Sequence, residues 1–173
     1  MAGPVETVTA RLFCSRPPAD SGDNYERLFT DPAVERWLRP APMEPFAVAD
    51  LEHLLRHDRS HWQIHGFGPW SLADRESGAF AGRAGLAWTR VEGTEAVELP
   101  WAILPKFQRQ GFASEAGFAA IEVAARIGLS SVISLALVDN LASRGVMEKI
   151  GLEFQREVEH VGLPHALYAL DLE

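Results

Sequence analysis

Polar and apolar positions alternate near the start of the chain. Val8, Ala10 and Leu12 fall on one face and Thr7, Thr9 and Arg11 on the other, which predicts a first strand over residues 7–13. The period then lengthens. Residues 23–29 read as helix, and a second short helix follows with Asp31 as cap, Pro32 in its first turn and an apolar stripe from Val34 to Leu38. Residues 46–65 form a third and longer helical candidate, and the proline-rich stretches 16–19 and 39–45 read as loops.

Beyond the turn at 66–69 the period returns to two. Strands are expected at 70–73, 80–88 and 96–104, joined by turns at 74–78 and 91–94, as an antiparallel meander. Residues 114–127 are alanine-rich with Ile121, Val123 and Ile127, and Gly128 marks the end of that helix. Residues 131–138 are almost wholly apolar, which suits a strand buried on both faces. A last helix at 140–150 has Asn140 as cap, Ala142, Val146 and Ile150 on one stripe and Gly151 as stop. Residues 153–161 and 166–172 close the chain as a hairpin. The pattern is α+β: one mixed, mostly antiparallel sheet with helices on both faces.

Composition narrows the class. At 173 residues, 47% hydrophobic and 23% charged, the chain is globular and predicts a single domain over 1–173. A lone Cys14 makes no internal bridge. No apolar run reaches the roughly 18 residues that span a bilayer, and the first thirteen residues hold an acidic Glu6 and only a late Arg11, unlike a secretory signal. The expectation is a soluble, cytoplasmic protein with no membrane partner. Sixteen basic against twenty-four acidic side chains give a net charge of -8, which repels a polyanion and argues against direct nucleic-acid binding.

Chemistry concentrates in VELPWAILPKFQRQGFASEA, residues 97–116, where a strand runs through a glycine-containing polar loop straight into a helix. A helix start leaves four backbone N–H groups unpaired and carries partial positive charge, and Gly111 lets an anion approach the backbone. Lys106 and Arg109 stand beside it. From the loop alone, a phosphate site and a plain tight turn with solvated cations are equally open.

Gln108, Gly111 and Ala113 in QRQGFA match the Gln/Arg-x-x-Gly-x-Gly/Ala pyrophosphate loop of one superfamily, VELPWAILP looks like its preceding strand, NLASRGVMEKIGLEF like its later helix and strand, and DPAVERWL like an N-terminal helix. On these segments, which cover nearly the whole chain in order, the sequence resembles the GNAT superfamily of N-acetyltransferases, and within it the group similar to ribosomal-protein N-terminal acetyltransferases. The resemblance implies acetyl-CoA as co-substrate, with its pyrophosphate on the backbone of Arg109, Gln110, Gly111, Phe112 and Ala113 beside Gln108. It implies a pantetheine arm along Ile103 and Leu104, and Asn140 and Ser143 facing the thioester end. A homodimer is compatible with it. Asn140 can cap its helix and face the arm at once.

Acetyl transfer needs a neutral amine. For a lysine amine of pKa about 10.4 neutrality at pH 7 costs about 4.6 kcal/mol, whereas an α-amine near 7.7–8.0 costs only about 1 kcal/mol. A weak base, acting directly or through water, therefore suffices for a protein N-terminus or small amine. Glu98 alternates with Val97 and Leu99, so it projects from the opposite sheet face and stands at the acidic position of the family's strand; it reads either as that base or as a solvated strand carboxylate. Ser143 reads as proton donor to the leaving thiolate, as a CoA contact or as a surface serine. Met147 stands where many relatives carry a tyrosine acid, and reads as packing. Pro100 and Trp101 replace the commoner glycine and tyrosine, and Pro100 removes a strand donor, which favours an edge or a splayed point.

His53, His57, His61 and His65 recur at four-residue spacing, close enough to share a helical face, although the outer two diverge by about 120°. Zinc binding, a solvated face and contact with the acceptor all remain open, with Trp62 and Trp70 flanking the same acceptor cleft in the last case. No HExxH or GxSxG signature is present. The leading expectation is transfer of acetyl from acetyl-CoA to a primary amine, with a non-catalytic CoA-binding module as the alternative. Net acidity favours a cationic acceptor.

Overall fold

The computed structural model describes residues 6–172. The opening residues 1–5, part of the segment read for a secretory signal, lie outside them. The strand expected over 7–13 is instead a tight hairpin of β1 (Thr7–Val8) and β2 (Leu12–Ser15), with Thr7 opposite Cys14 and Val8 opposite Phe13. Thr9 makes the turn, because its hydroxyl accepts the Leu12 N–H at 2.9 Å. The inward face is consequently Leu12 and Cys14, both buried.

Helices α1 (Gly22–Phe29), α2 (Pro32–Leu38) and α3 (Val48–His65) follow. The Asp31 carboxylate accepts the Ala33 N–H at 2.9 Å, as its position before Pro32 predicts. Helix α3 starts two residues later than its apolar pattern suggests: the Asp50 carboxylate accepts the Ala47 N–H at 2.9 Å and sets the boundary, while Phe46 packs on Phe29 with ring centroids 5.7 Å apart.

The meander breaks where the pattern ran continuous. The segment 80–88 divides into β4 (Phe80–Gly85) and β5 (Ala87–Val91), and 96–104 divides into β6 (Thr94–Glu98) and β7 (Trp101–Ile103). Gly85 holds φ 138°, and a Cβ there would lie 2.9 Å from the Gly68 carbonyl oxygen, so the bend needs glycine. Pro100 removes an N–H at the second break. With β3 (Pro69–Asp74), β8 (Ser131–Leu137), β9 (Glu153–His160) and β10 (Leu163–Asp171), the strands form two five-stranded sheets in place of one. Their orders are β1-β2-β3-β4-β7 and β5-β6-β8-β10-β9.

Helix α4 (Phe112–Arg126) lays Ala116, Ala120, Val123 and Ala124 into the core, and α5 (Leu141–Lys149) buries Met147, the packing role its sequence position suggests. The second sheet contains a parallel pair. Strand β6 runs parallel to β8 with Glu98 opposite Ile133, the Leu99 N–H donates to the Ile133 carbonyl at 2.8 Å, and the Ser134 hydroxyl donates to the Leu99 carbonyl at 3.0 Å. Past Pro100 the chain belongs to the other sheet, so β7 and β8 diverge. Strand β8 is not buried on both faces: Val132, Ser134 and Ala136 are buried, whereas Ile133, Leu135 and Leu137 are only half-buried.

Candidate active site

The divergence opens a cleft of about 680 Å³. Trp101, Ala102 and Ile103 of β7 line one wall and Leu135, Ala136 and Leu137 of β8 the other. The starts of α4 and α5 close one side, and α2 and the β9–β10 turn add the rest.

Gly111 precedes α4 at φ 83° with no side chain capping the helix, and Arg109 is itself left-handed at φ 58°. The helix begins at Phe112, two residues before the start its alanine pattern suggests, so the amides of Phe112, Ala113 and Ser114 have no intrahelical acceptor and open toward the cleft's lining. The loop is braced from several sides. The Gln108 side-chain amide donates to the Ile103 carbonyl at 2.8 Å, the Gln110 amide donates to the Lys106 carbonyl at 2.7 Å, and Phe107 meets Phe112 edge-on at 5.6 Å. Arg11, from the β1–β2 turn, donates to the Gln110 carbonyl at 2.6 Å, pairs with Glu115 at 2.7 Å and stacks 4.6 Å over Phe112. Nothing in the local pattern around Arg11 signals this role, because its partners lie about a hundred residues away.

Of the residues expected at the donor site, Ile103, Gln108, Arg109, Gly111, Phe112, Ala113, Asn140 and Ser143 all line the cleft. Leu104 and Gln110 do not. Leu104 turns its N–H to the Ala81 carbonyl at 2.9 Å, so that amide is already used inside the sheet, and strand alternation points the Ile103 amide toward the cleft. Gln110 turns back onto Lys106, away from the cleft. Lys106 also stands outside the cleft, its ammonium 5.4 Å over the Phe107 ring. Asn140 caps α5, its side-chain oxygen accepting the Ser143 N–H at 3.2 Å, and both residues face the same space.

Glu98 stands where β6 ends, half-buried in the cleft, and its carboxyl makes no hydrogen bond or ion pair among the described residues. Burial pushes that carboxyl up to about 7, with the Arg83 charge pulling the other way. Arg83 is held elsewhere. Its guanidinium forks onto Asp58 of α3 at 2.6 and 2.7 Å, and the Tyr25 hydroxyl donates to the same carboxylate. Burial alone would raise Asp58, but Arg83, His57 and Tyr25 outweigh it and hold the carboxyl well below the usual range. Cys14 is buried and its thiol is pushed up to about 12, mainly by burial, so it is no nucleophile.

The histidine stripe does not roof the cleft. None of the four lines it, and His61 is a buried clamp, its Nδ1 meeting the Phe67 carbonyl at 2.7 Å while its Nε2 accepts the Trp88 N–H at 2.9 Å. Burial lowers its pKa, in keeping with a neutral ring. His53, His57 and His65 face solvent, and no metal-binding cluster exists among the described residues. Trp62 donates to the Pro69 carbonyl at 2.7 Å and Trp70 is buried in the core; neither flanks the cleft.

Sequence reasoning passed over the residues that do. Trp37 and Arg36 arrive from α2, and His160, Val161 and His165 from the closing hairpin. The two histidine rings meet edge-on at 5.4 Å across a two-residue turn, Val161-Gly162, in which both residues have positive φ. A β-branched residue at φ 48° is a strained choice, and it stands at the cleft mouth.

Residues 11–153 match the acetyltransferase (GNAT) domain family, and the chain belongs to that family. Among solved structures it is similar to an acetyltransferase from Agrobacterium tumefaciens at 22% identity and TM-score 0.79, over 95% of this chain and 93% of that one. It is similar to a ribosomal-protein alpha-N-acetyltransferase in complex with coenzyme A at 17% identity and TM-score 0.76, over 96% and 97%. A Salmonella typhimurium protein solved with its cofactor acetyl-CoA matches at 18% identity and TM-score 0.68, over 94% of each chain. These are likenesses of fold.

Proposed function

We propose that the protein transfers an acetyl group from acetyl-CoA to a primary amine by direct attack of the amine on the thioester. The observation that carries this reading is the single cleft that joins an uncapped helix start at Gly111 to an unpaired carboxyl at Glu98. The residues present fit the donor: free amides at 112–114 and the charge of Arg109 suit a pyrophosphate, and the parted strands leave the Ile103 amide for an extended pantetheine arm. When bound, acetyl-CoA supplies an activated acyl carbon, and the acceptor nitrogen bonds to it as the C–S bond breaks.

Glu98 accepts the proton that the ammonium must lose, and with a pKa of about 7 it is matched to an α-amine at neutral pH. Ser143, at the cleft wall and free of side-chain partners among the described residues, passes a proton from solvent to the departing thiolate, giving its own and regaining one from water. The likeness to a ribosomal-protein alpha-N-acetyltransferase supports a protein or peptide N-terminus among the acceptors. No helix of the described residues is long and apolar enough to cross a membrane.

Incubation with acetyl-CoA and a panel of amines, read by free-thiol release, tests the reading. Amine-dependent release supports it, and tight acetyl-CoA binding without release from any amine marks a CoA-binding module instead.

A further inference from the structure

Four charged side chains line the cleft: Arg36, Arg109 and Lys149 against the lone carboxylate of Glu98. The cleft is therefore locally cationic inside a protein of net charge -8. Arg109 and Lys149 belong to the loop before α4 and to α5, the walls assigned to the donor. Arg36 belongs to α2 and has no such assignment. It is exposed, it has no acidic partner among the described residues, and its guanidinium stacks 4.9 Å over the Trp37 ring. Stacking leaves the edge of the guanidinium, which carries its donors, free for a planar two-oxygen anion.

The surroundings of Arg36 are apolar. Trp37, Val34, Leu38, Trp101 and Val161 line the same cleft. Resting on the acetyl-transfer reading, we propose that the acceptor is an amine with a carboxylate close to it and an apolar, aromatic-sized body, the carboxylate held by Arg36 and the body packed between Trp37 and Trp101. With Arg109 and Lys149 on the walls assigned to the donor, a polyamine meets Arg36 on the acceptor side, so this wall discourages the cationic acceptor that whole-chain charge suggests. The remaining titratable groups act in the same direction. Protonating His160 or His165 at the β9–β10 turn adds positive charge, and burial keeps His160 neutral to lower pH than usual. Such an amine has two sources, a free amino acid or an N-terminus followed by an acidic residue.

Acetyl transfer to four probes at one pH separates them: phenylalanine, the dipeptide amides Phe-Asp and Phe-Lys, and spermidine. The proposal expects kcat/KM for phenylalanine or Phe-Asp amide at least tenfold above Phe-Lys amide and spermidine. The better of the first two identifies the source. Arg36→Gln, at an exposed position, is expected to collapse that ratio to within about twofold while the KM for acetyl-CoA stays unchanged. Equal or better turnover of Phe-Lys amide or spermidine overturns the proposal alone. So does a charge preference that survives Arg36→Gln, or loss of acetyl-CoA affinity in that variant. Absence of transfer to every probe overturns it together with the reading on which it rests.

Discussion

Glu98 is a carboxyl kept away from partners. Its charged neighbour, Arg83, is already forked onto Asp58, and burial lifts Glu98 to about 7. A general base contributes about 10² to 10⁴-fold, so Glu98→Gln should lower kcat/KM by that order, and the wild-type fall in rate as pH drops through about 7 should lose the Glu98 component. The same residue should report on stability with the opposite sign. A carboxyl whose folded pKa exceeds its unfolded value favours the folded state while protonated, and that advantage is lost as pH rises from about 4.5 to about 7. Glu98→Gln should therefore raise the Tm at pH 8, by up to roughly 3 kcal/mol of stability, while activity falls. Gly111 makes a second residue-scale case. Its φ of 83° and a Cβ position 3.2 Å from the Arg11 guanidinium leave little room for a side chain. Calorimetry on Gly111→Glu should show acetyl-CoA binding abolished, since the substitution both fills and charges the anion site.

Elements were legible where period and capping agreed. Asp31 before Pro32 located α2, Asn140 located α5, and the closing hairpin was read in place, although β10 starts at Leu163, three residues before the expected 166. The strand breaks were harder to read, because 80–88 and 96–104 are mostly apolar, each with a single charged residue, and a continuous strand satisfies the same pattern. Pro100 marked its break as an edge or a splayed point; the change of sheet at Gly85 depends on contact with Gly68, which a local window does not contain. The acceptor reading of the histidine stripe failed for a related reason, while the solvated-face reading holds for His53, His57 and His65. Four-residue spacing places side chains on a helical face but does not say what that face meets, and α3 points His61 at a carbonyl and an amide from other elements. The same helix carries Asp58 to β4, which gives an element-scale expectation. Asp58→Ala leaves Arg83 buried and unpaired, a loss of about 3–5 kcal/mol, whereas Asp58→Leu with Arg83→Met should recover much of it. Urea unfolding of the single and double variants measures the difference.

Over the whole molecule, charge is divided by place. A surplus of eight acidic side chains describes the surface, while the cleft lining is cationic, and no count taken over the full sequence could separate the two. What the order of segments did reveal was the pair of cleft walls proposed to hold the donor, because QRQGFA and the Asn140 helix are local signals. The other walls come from residues 33–38 and 160–165, at opposite ends of the chain, and become neighbours only through folding. The parting of β7 from β8 has one more consequence. Among the described residues the facing margins of these two strands have no strand partner in the middle of the protein, and they are flanked by apolar Ile103, Leu135 and Leu137. Any extended backbone satisfies such margins, including one from a second, partly opened copy, so the empty protein is its own aggregation hazard. Saturating donor should act as the missing strand: at a hundred times Kd it stabilises by about 2.7 kcal/mol. Light scattering on heating should then begin at a higher temperature with acetyl-CoA than without it, and an unchanged onset would show that the margins are shielded in the empty state.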